Sequence, residues 1–194
     1  MHGDFLLDPA VAYLNHGGYG ACPRVVFDDY QRLQLELERG PTDFFTRRLD
    51  ALLRDARAAL AGFVGARPED LVFAANATSA LNAVLRSLRI RPEDEILTTR
   101  HEYGAVLRTL GFVRATVVAC EPEDLVWHIG ARTRAILVSH ITSPTALLLP
   151  VEELCAAAHH AGVLSIVDGA HAPGQLPVDV EALGADVYAG NCHN

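Results

Sequence analysis

The sequence predicts an α/β fold, a three-layer sandwich around a mostly parallel central sheet, and three observations carry that prediction. From Arg67 onward, short aliphatic and β-branched runs (LVFAA at 71–75, EILTT at 95–99, ATVVAC at 115–120, RAILVSH at 134–140, VLSIV at 163–167, ADVYAG at 185–190) alternate with helical tracts of roughly ten residues. The runs are nearly continuous in apolar character, as strands buried on both faces are. Each gives way to small polar or ionisable residues: Asn76 and Thr78, His101 and Tyr103, Ser139 to Ser143, Asp168 and His171, Asn191 and His193. In an open α/β sheet the carboxyl ends of the strands border the crevice where ligands bind.

The chain opens with AYLNHGGYG at 12–20, read as an extended segment in which Tyr13 and Leu14 join a sheet edge or pack under a neighbour. Its glycines turn the backbone around Asn15 and His16. Pro23 suits the first turn of a helix reaching Arg39, and the Gly40-Pro41 pair ends it. A second helix spans Thr42 to Phe63, with Phe44, Phe45, Leu49, Leu52, Leu53, Ala56 and Leu60 at spacings of three and four. Residues 1–65 are expected to form an N-terminal arm and helices, and 66–194 the α/β domain. Arg-Pro-Glu-Asp occurs at 67–70 and again at 91–94, each time before a strand run, and is a helix-to-strand turn used twice. Helices follow at ATSALNAVLRSL, capped by Asn76 or Thr78, at Glu102–Phe112 and at Val151–His160.

With 194 residues the chain can bury a substantial core, and its net charge of -8 argues against nucleic acid or an anionic membrane surface as partner. All sixteen basic residues are arginine, so no ε-amino group is available for chemistry. Cys22, Cys120, Cys155 and Cys192 are scattered without a C-x-x-C pair, which fits a reduced, cytoplasmic setting. The N-terminus has neither a signal peptide pattern nor a membrane-spanning run.

The polar strand ends admit several chemistries. Asn76, Ala77, Thr78 and Ser79 open a helix and present backbone N–H groups, a ready anion site. Asp168 is either a strand-end turn residue or the anchor for a cationic ligand atom or a metal. A metal-dependent hydrolase would draw on Asp168, His171 and either His193 or His101. The spacing of DGAH offers no fixed helical face, however, and no H-E-x-x-H signature occurs.

The succession YLNHGGYG, NATSALN, TTRHEYGAV, LVSHITSPTALLLP, SIVDGAHAPG and DVYAGNCH resembles the class V aminotransferase and cysteine desulfurase family of pyridoxal-phosphate enzymes, within it the isopenicillin N epimerase-like branch. The resemblance runs over the whole chain but corresponds to the first half of a typical member; the end of the large domain and the C-terminal small domain are absent. It implies the fold of the major domain of these transferases, incomplete at the C-terminus, and pyridoxal 5'-phosphate as cofactor. It further implies a small amino-acid or amino-acid-derived substrate, and a homodimer for the full-length protein.

Residue by residue, the resemblance implies that Asp168 pairs with the pyridinium nitrogen and that His171 stands beside the ring's phenolic oxygen. Ala77 and Thr78 cradle the phosphate, with Asn191 assisting. Either His101 or Tyr103 stacks on the ring. Thr142 and Ser143 contact its oxygen side, His193 belongs to the cofactor motif, and Asn15 and His16 lie near the substrate carboxylate. The family continues from the histidine into the lysine that holds the cofactor as a Schiff base; here residue 194 is asparagine, which has no nucleophilic amine. Epimerisation, elimination and desulfuration all remain open for the full-length protein, and Cys192 is read as a packing residue. The rival reading is a noncatalytic module that binds pyridoxal phosphate or a partner without a covalent adduct.

Overall fold

A computed structural model describes residues 2–193, so Asn194 lies outside the described residues. The chain divides into two units, Met1–Phe63 with Arg67–Leu71 and Cys192–Asn194, and Val64–Ala66 with Val72–Asn191.

In the first unit the turn expected around Asn15 and His16 is a single helical turn, α1 (His16–Tyr19), and residues 12–15 before it lie outside any helix or strand. The Asn15 carbonyl accepts from the N–H groups of Gly18 and Tyr19, and a Cβ at position 18 would stand 2.7 Å from the Asn15 side chain, so glycine lets the turn close. Tyr13 and Leu14 join no strand, and Leu14 is exposed. Helix α2 (Arg24–Arg39) begins after Pro23 as expected; its residues Val25, Val26, Phe27, Tyr30 and Leu35 stand exposed. The helix expected over 42–63 is a run of three pieces: α3 (Pro41–Asp43), a π-helical turn at Phe44–Arg48, and α4 (Leu49–Val64). The wider turn buries Phe44 with the Arg48 guanidinium 5.5 Å over its ring, while Glu36 of α2 accepts from both Arg32 and Arg48.

The second unit is a five-stranded sheet, β1 (Glu95–Thr99), β2 (Thr116–Cys120), β3 (Thr133–Ser139), β4 (Leu164–Gly169) and β5 (Val187–Gly190), in the order β2-β1-β3-β4-β5 with every pair parallel. Successive residues point to opposite faces, so each central strand feeds two cores. Leu97, Ile136, Val138 and Val167 pack on one face with Leu154, Cys155 and Ala158 of α7 (Val151–His160). Ile96, Leu137 and Ile166 pack on the other with Leu81 and Leu85 of α5 (Ala77–Ser87) and Val106 and Leu110 of α6 (Gly104–Leu110). Helices on both faces of a parallel sheet make the three-layer α/β architecture the alternation predicts. A short α8 (Val180–Leu183), capped by the Asp179 side chain, precedes β5.

One strand expectation is corrected. The run at 71–75 joins no ladder among the described residues, and Val72 is 82% exposed. Its composition suits a strand, but a strand exists only where a neighbour supplies N–H and C=O partners. The two Arg-Pro-Glu-Asp turns do share a local structure, each pairing its arginine with the aspartate three residues on. Only the second is followed by a strand.

The amino ends of β4 and β5 are fastened by one carboxylate: Asp186 Oδ2 accepts from Ser165 N and Ser165 Oγ, both at 2.8 Å, and Ser165 is fully buried. Asp186→Ala leaves both donors buried without a partner. The expected cost is about 1–3 kcal/mol of unfolding free energy, measured by urea titration; an unchanged midpoint would show that the sheet edge does not depend on this clasp.

Candidate functional site

The strand order places a switch point between β1 and β3: the chain leaves β1 for α6 on one face of the sheet, and leaves β3 for α7 on the other. At such a point the two connections diverge and a crevice opens at the carboxyl ends. The described side chains gather along this edge.

Asp168 is the penultimate residue of β4, in register with Ser139 of β3 and Ala189 of β5, and is 5% exposed. Its Oδ1 accepts from Ala170 N at 3.1 Å, and Oδ2 has no hydrogen bond among the described residues. Burial pushes its carboxyl above the ordinary range, opposed by the Ala170 N–H and by the nearby His171. Tyr188 of β5 lies against the same strand end. A Cβ at position 169 would come within 2.2 Å of its ring, so the glycine after Asp168 makes room for the tyrosine. Tyr188 Oη and His140 Nδ1 are 2.9 Å apart, with the rings edge to face. Burial, reinforced by Asp168, raises the phenol's pKa, and burial lowers that of His140.

Glu102, read from the sequence as the start of a helix, is instead a buried residue of the edge. It is 3% exposed; Oε1 accepts from Thr99 Oγ1 (2.6 Å) and Ser139 N (3.1 Å), and Oε2 from Ser139 Oγ (2.5 Å). Burial raises its pKa first, against those bonds, and Asp168 adds to the rise. The helix begins two residues later, at Gly104, with Tyr103 as its N-cap.

At the start of α5, Asn76 Oδ1 accepts from Ser79 N at 2.8 Å, the cap that the sequence predicts, and Asn191 Oδ1 accepts from Ala77 N at 2.8 Å. The Thr78 N–H and hydroxyl have no partner among the described residues. This corner can hold an anion on backbone N–H groups alone. His101 and Tyr103 differ sharply. The His101 ring has Glu121 Oε2 at 3.2 Å from Nε2 and Thr145 Oγ1 at 3.3 Å from Nδ1, whereas Tyr103 is 47% exposed and unbonded among the described residues.

Thr142 is buried within its own loop, its Oγ1 accepting from Leu147 N at 2.8 Å and pairing with Thr145 Oγ1 at 2.7 Å; Ser143 is exposed. Asn15, His16 and His193 belong to the other unit. There His16 packs edge-on to Tyr13 and its Nδ1 accepts from Ala21 N at 3.4 Å, while Asn15 and His193 are exposed. Among the described residues no three His, Cys, Asp or Glu side chains converge on a metal position. Glu102, Gly169 and Tyr188 were not singled out from the sequence, whereas Ser139 was named among the strand-end polar residues. DGAH and DVYAG contained two of them, but nothing in a linear pattern says that a glycine in one strand accommodates a tyrosine in the next.

Asp168 and Glu102 have pKa values raised on folding, so the folded chain binds protons more tightly than the unfolded chain above the ordinary carboxylate range. Their contribution to stability is present at the acid end of that window and is lost as pH rises through the folded pKa values. Glu102→Gln cannot ionise and keeps the bonding shape. Its unfolding free energy, relative to the parent chain, is expected to rise as pH increases above the ordinary carboxylate range. A difference independent of pH, measured by urea unfolding at several pH values, would count against this.

The family model for aminotransferase class V matches residues 26–193. The chain is 41% identical to the isopenicillin N epimerase of Amycolatopsis lactamdurans, covering 96% of this chain and 51% of the relative, and 38% identical to that of Streptomyces clavuligerus, covering 98% and 52%. Among solved structures it is similar to a mutant of C-DES with glycine covalently linked to the PLP cofactor, at a TM-score of 0.87 and 26% identity, covering 100% of this chain and 55% of that one. The chain thus spans about half the length of the relatives it matches. The motifs along the sheet edge and the match over most of the sequence agree, and the chain belongs to the class V aminotransferase family.

Proposed function

We propose that this chain forms the ring- and phosphate-holding part of a pyridoxal-phosphate-dependent protein that transforms a small amino acid. The observation that carries the reading is Asp168: a buried carboxyl at the carboxyl edge of the sheet, with one oxygen unbonded among the described residues. A protonated ring nitrogen supplies the missing counter-charge, and the N-terminus of α5 supplies donors for a phosphate, so the residues fit the cofactor. When bound, the cofactor provides an electron sink for charge developing on the amino acid's α-carbon.

In this reading Asp168 accepts from the ring N–H, and His171 flanks the ring beside it. The N–H groups of Ala77 and Thr78 would hold the phosphate, the first of them released from Asn191. Tyr103 stacks on the ring, because it is exposed and uncommitted whereas both His101 nitrogens have partners. Thr142 and Ser143 would serve the ring's oxygen side. The exposed apolar side chains of α2 support a homodimer. Light scattering should give twice the chain mass; a monomer at high concentration would remove that support.

A second reading, binding without turnover, is favoured by one fact: the sequence has no lysine to hold the cofactor covalently. Pyridoxamine 5'-phosphate needs no lysine and is the appropriate probe of the site. Fluorescence titration should show saturable binding, weakened about 10–100-fold in Asp168→Asn, which loses a charge-assisted bond. Equal affinity in the two proteins would sink the assignment of Asp168. Incubation with pyridoxal phosphate and amino acids in D2O then separates the readings: deuterium entering at the α-carbon supports turnover, and binding without exchange supports the noncatalytic module.

A further inference from the structure

Glu102 has no role in the reading above, yet it is the buried carboxyl at the switch point. Its three hydrogen bonds come from Thr99 at the end of β1 and from the N–H and hydroxyl of Ser139 at the end of β3. Ser139 is in register with Asp168, and His140, the next residue, donates its N–H to the Asp168 carbonyl at 2.8 Å. On the other side Glu102 is one peptide from Tyr103, whose carbonyl starts α6 by accepting from Val106 N and Leu107 N. Burying a carboxyl is costly, and joining two strand ends for stability alone is done at lower cost by apolar contact. What three directional bonds add is a fixed position and orientation.

We propose that Glu102 is a positioning residue: its buried carboxyl ties the backbone of Tyr103 to the strand end beside Asp168, and so sets the spacing between the group that covers the cofactor ring and the group that binds its nitrogen. This rests on the pyridoxal-phosphate reading of the site. The bonds act on the ring pocket and not on the phosphate corner, which is built from α5 and Asn191.

The test titrates pyridoxamine 5'-phosphate and, separately, inorganic phosphate into the full chain and its variants, and records the induced circular dichroism of the bound ring as a report of its fixed orientation. Glu102→Gln keeps the bonding pattern: its carbonyl accepts from Thr99 Oγ1 and Ser139 N, and its amide donates to Ser139 Oγ. It should bind pyridoxamine phosphate within about twofold of the parent and keep the dichroic signal, whereas Glu102→Ala should bind about tenfold or more weakly and lose the signal, with inorganic phosphate affinity unchanged within about twofold. Should Glu102→Ala fail to fold, Ser139→Ala removes only the Oε2 bond and should weaken pyridoxamine phosphate about three- to tenfold with the same phosphate control.

Parent-like affinity and dichroism in the variant lacking the bonds would overturn the role. So would equal losses for both ligands, or a Glu102→Gln variant as weak as Glu102→Ala, which would mean that charge and not position matters. If the parent chain binds no pyridoxamine phosphate, the cofactor reading itself fails and takes this role with it. Binding by the parent with an indifferent Glu102→Ala removes the positioning role alone.

Discussion

The edge of the sheet depends on one constraint: β1 and β3 are hydrogen-bonded neighbours whose following connections go to opposite faces. A parallel sheet that divides in this way leaves its strand ends without the helix that would otherwise cover them. Here the Glu102 carboxyl spans the opening, taking donors from both strands, and Thr99 Oγ1 additionally accepts from His101 N. The backbone that carries His101 and Tyr103 is therefore held to the backbone that carries Ser139 and His140, and through the β3–β4 register to Asp168.

The electrostatics of this edge follow from what it lacks. Asp168, Glu102 and Tyr188 are buried close together, each in a setting that disfavours its charged form, and Asp168 adds to the rise at the other two. His140 is likewise held toward its neutral form by burial. Arg32 and Arg48 are engaged by Glu36, Arg67 and Arg91 by the aspartates of their own turns, and Arg100, next after β1, by Glu121. A like-charged cluster of this kind resists ionisation until a cation arrives, because each carboxylate makes the next more costly. On the proposed reading, a protonated ring nitrogen at Asp168 relieves that cost, which links cofactor affinity to the same burial that stabilises the neutral acids.

Much of this was legible before the structure. The β1 run EILTT and the helix Val151–His160 match their observed bounds, because periodicity and flanking turn residues agree there. The run at 71–75 looked equally good, preceded by the same Arg-Pro-Glu-Asp turn, and still joins no ladder among the described residues. Local pattern reports that a segment can be a strand, whereas pairing is decided by a partner distant in sequence. Glu102 shows the same limit at a side chain. One residue from Tyr103, it reads as an ordinary charged position in a first helical turn, and only the meeting of Thr99 with Ser139, from strands thirty-odd residues apart, turns it inward. The strand-end positions of Asp168 and Asn191 were legible because strand ends are a property of topology, which alternation reveals.

On the proposed reading, the phosphate corner and the ring pocket are built by different means. Asn191 already bonds Ala77 N, so one donor of the α5 terminus is satisfied by the protein itself while Thr78 leaves its N–H and hydroxyl open. An anion arriving there exchanges one bond and adds others, with little reorganisation of the helix. The ring pocket has no such substitute: Tyr103 stands exposed, and Asp168 keeps an unbonded oxygen among the described residues. His101, by contrast, is committed to Glu121 and to Thr145, and Thr145 is bonded to Thr142, so that histidine braces the loop after β3 against the end of β2. Moving it over a ring would break that brace, whereas turning the Tyr103 side chain breaks no hydrogen bond among the described residues. The division of labour between the adjacent aromatic candidates therefore follows from which one the fold has already used.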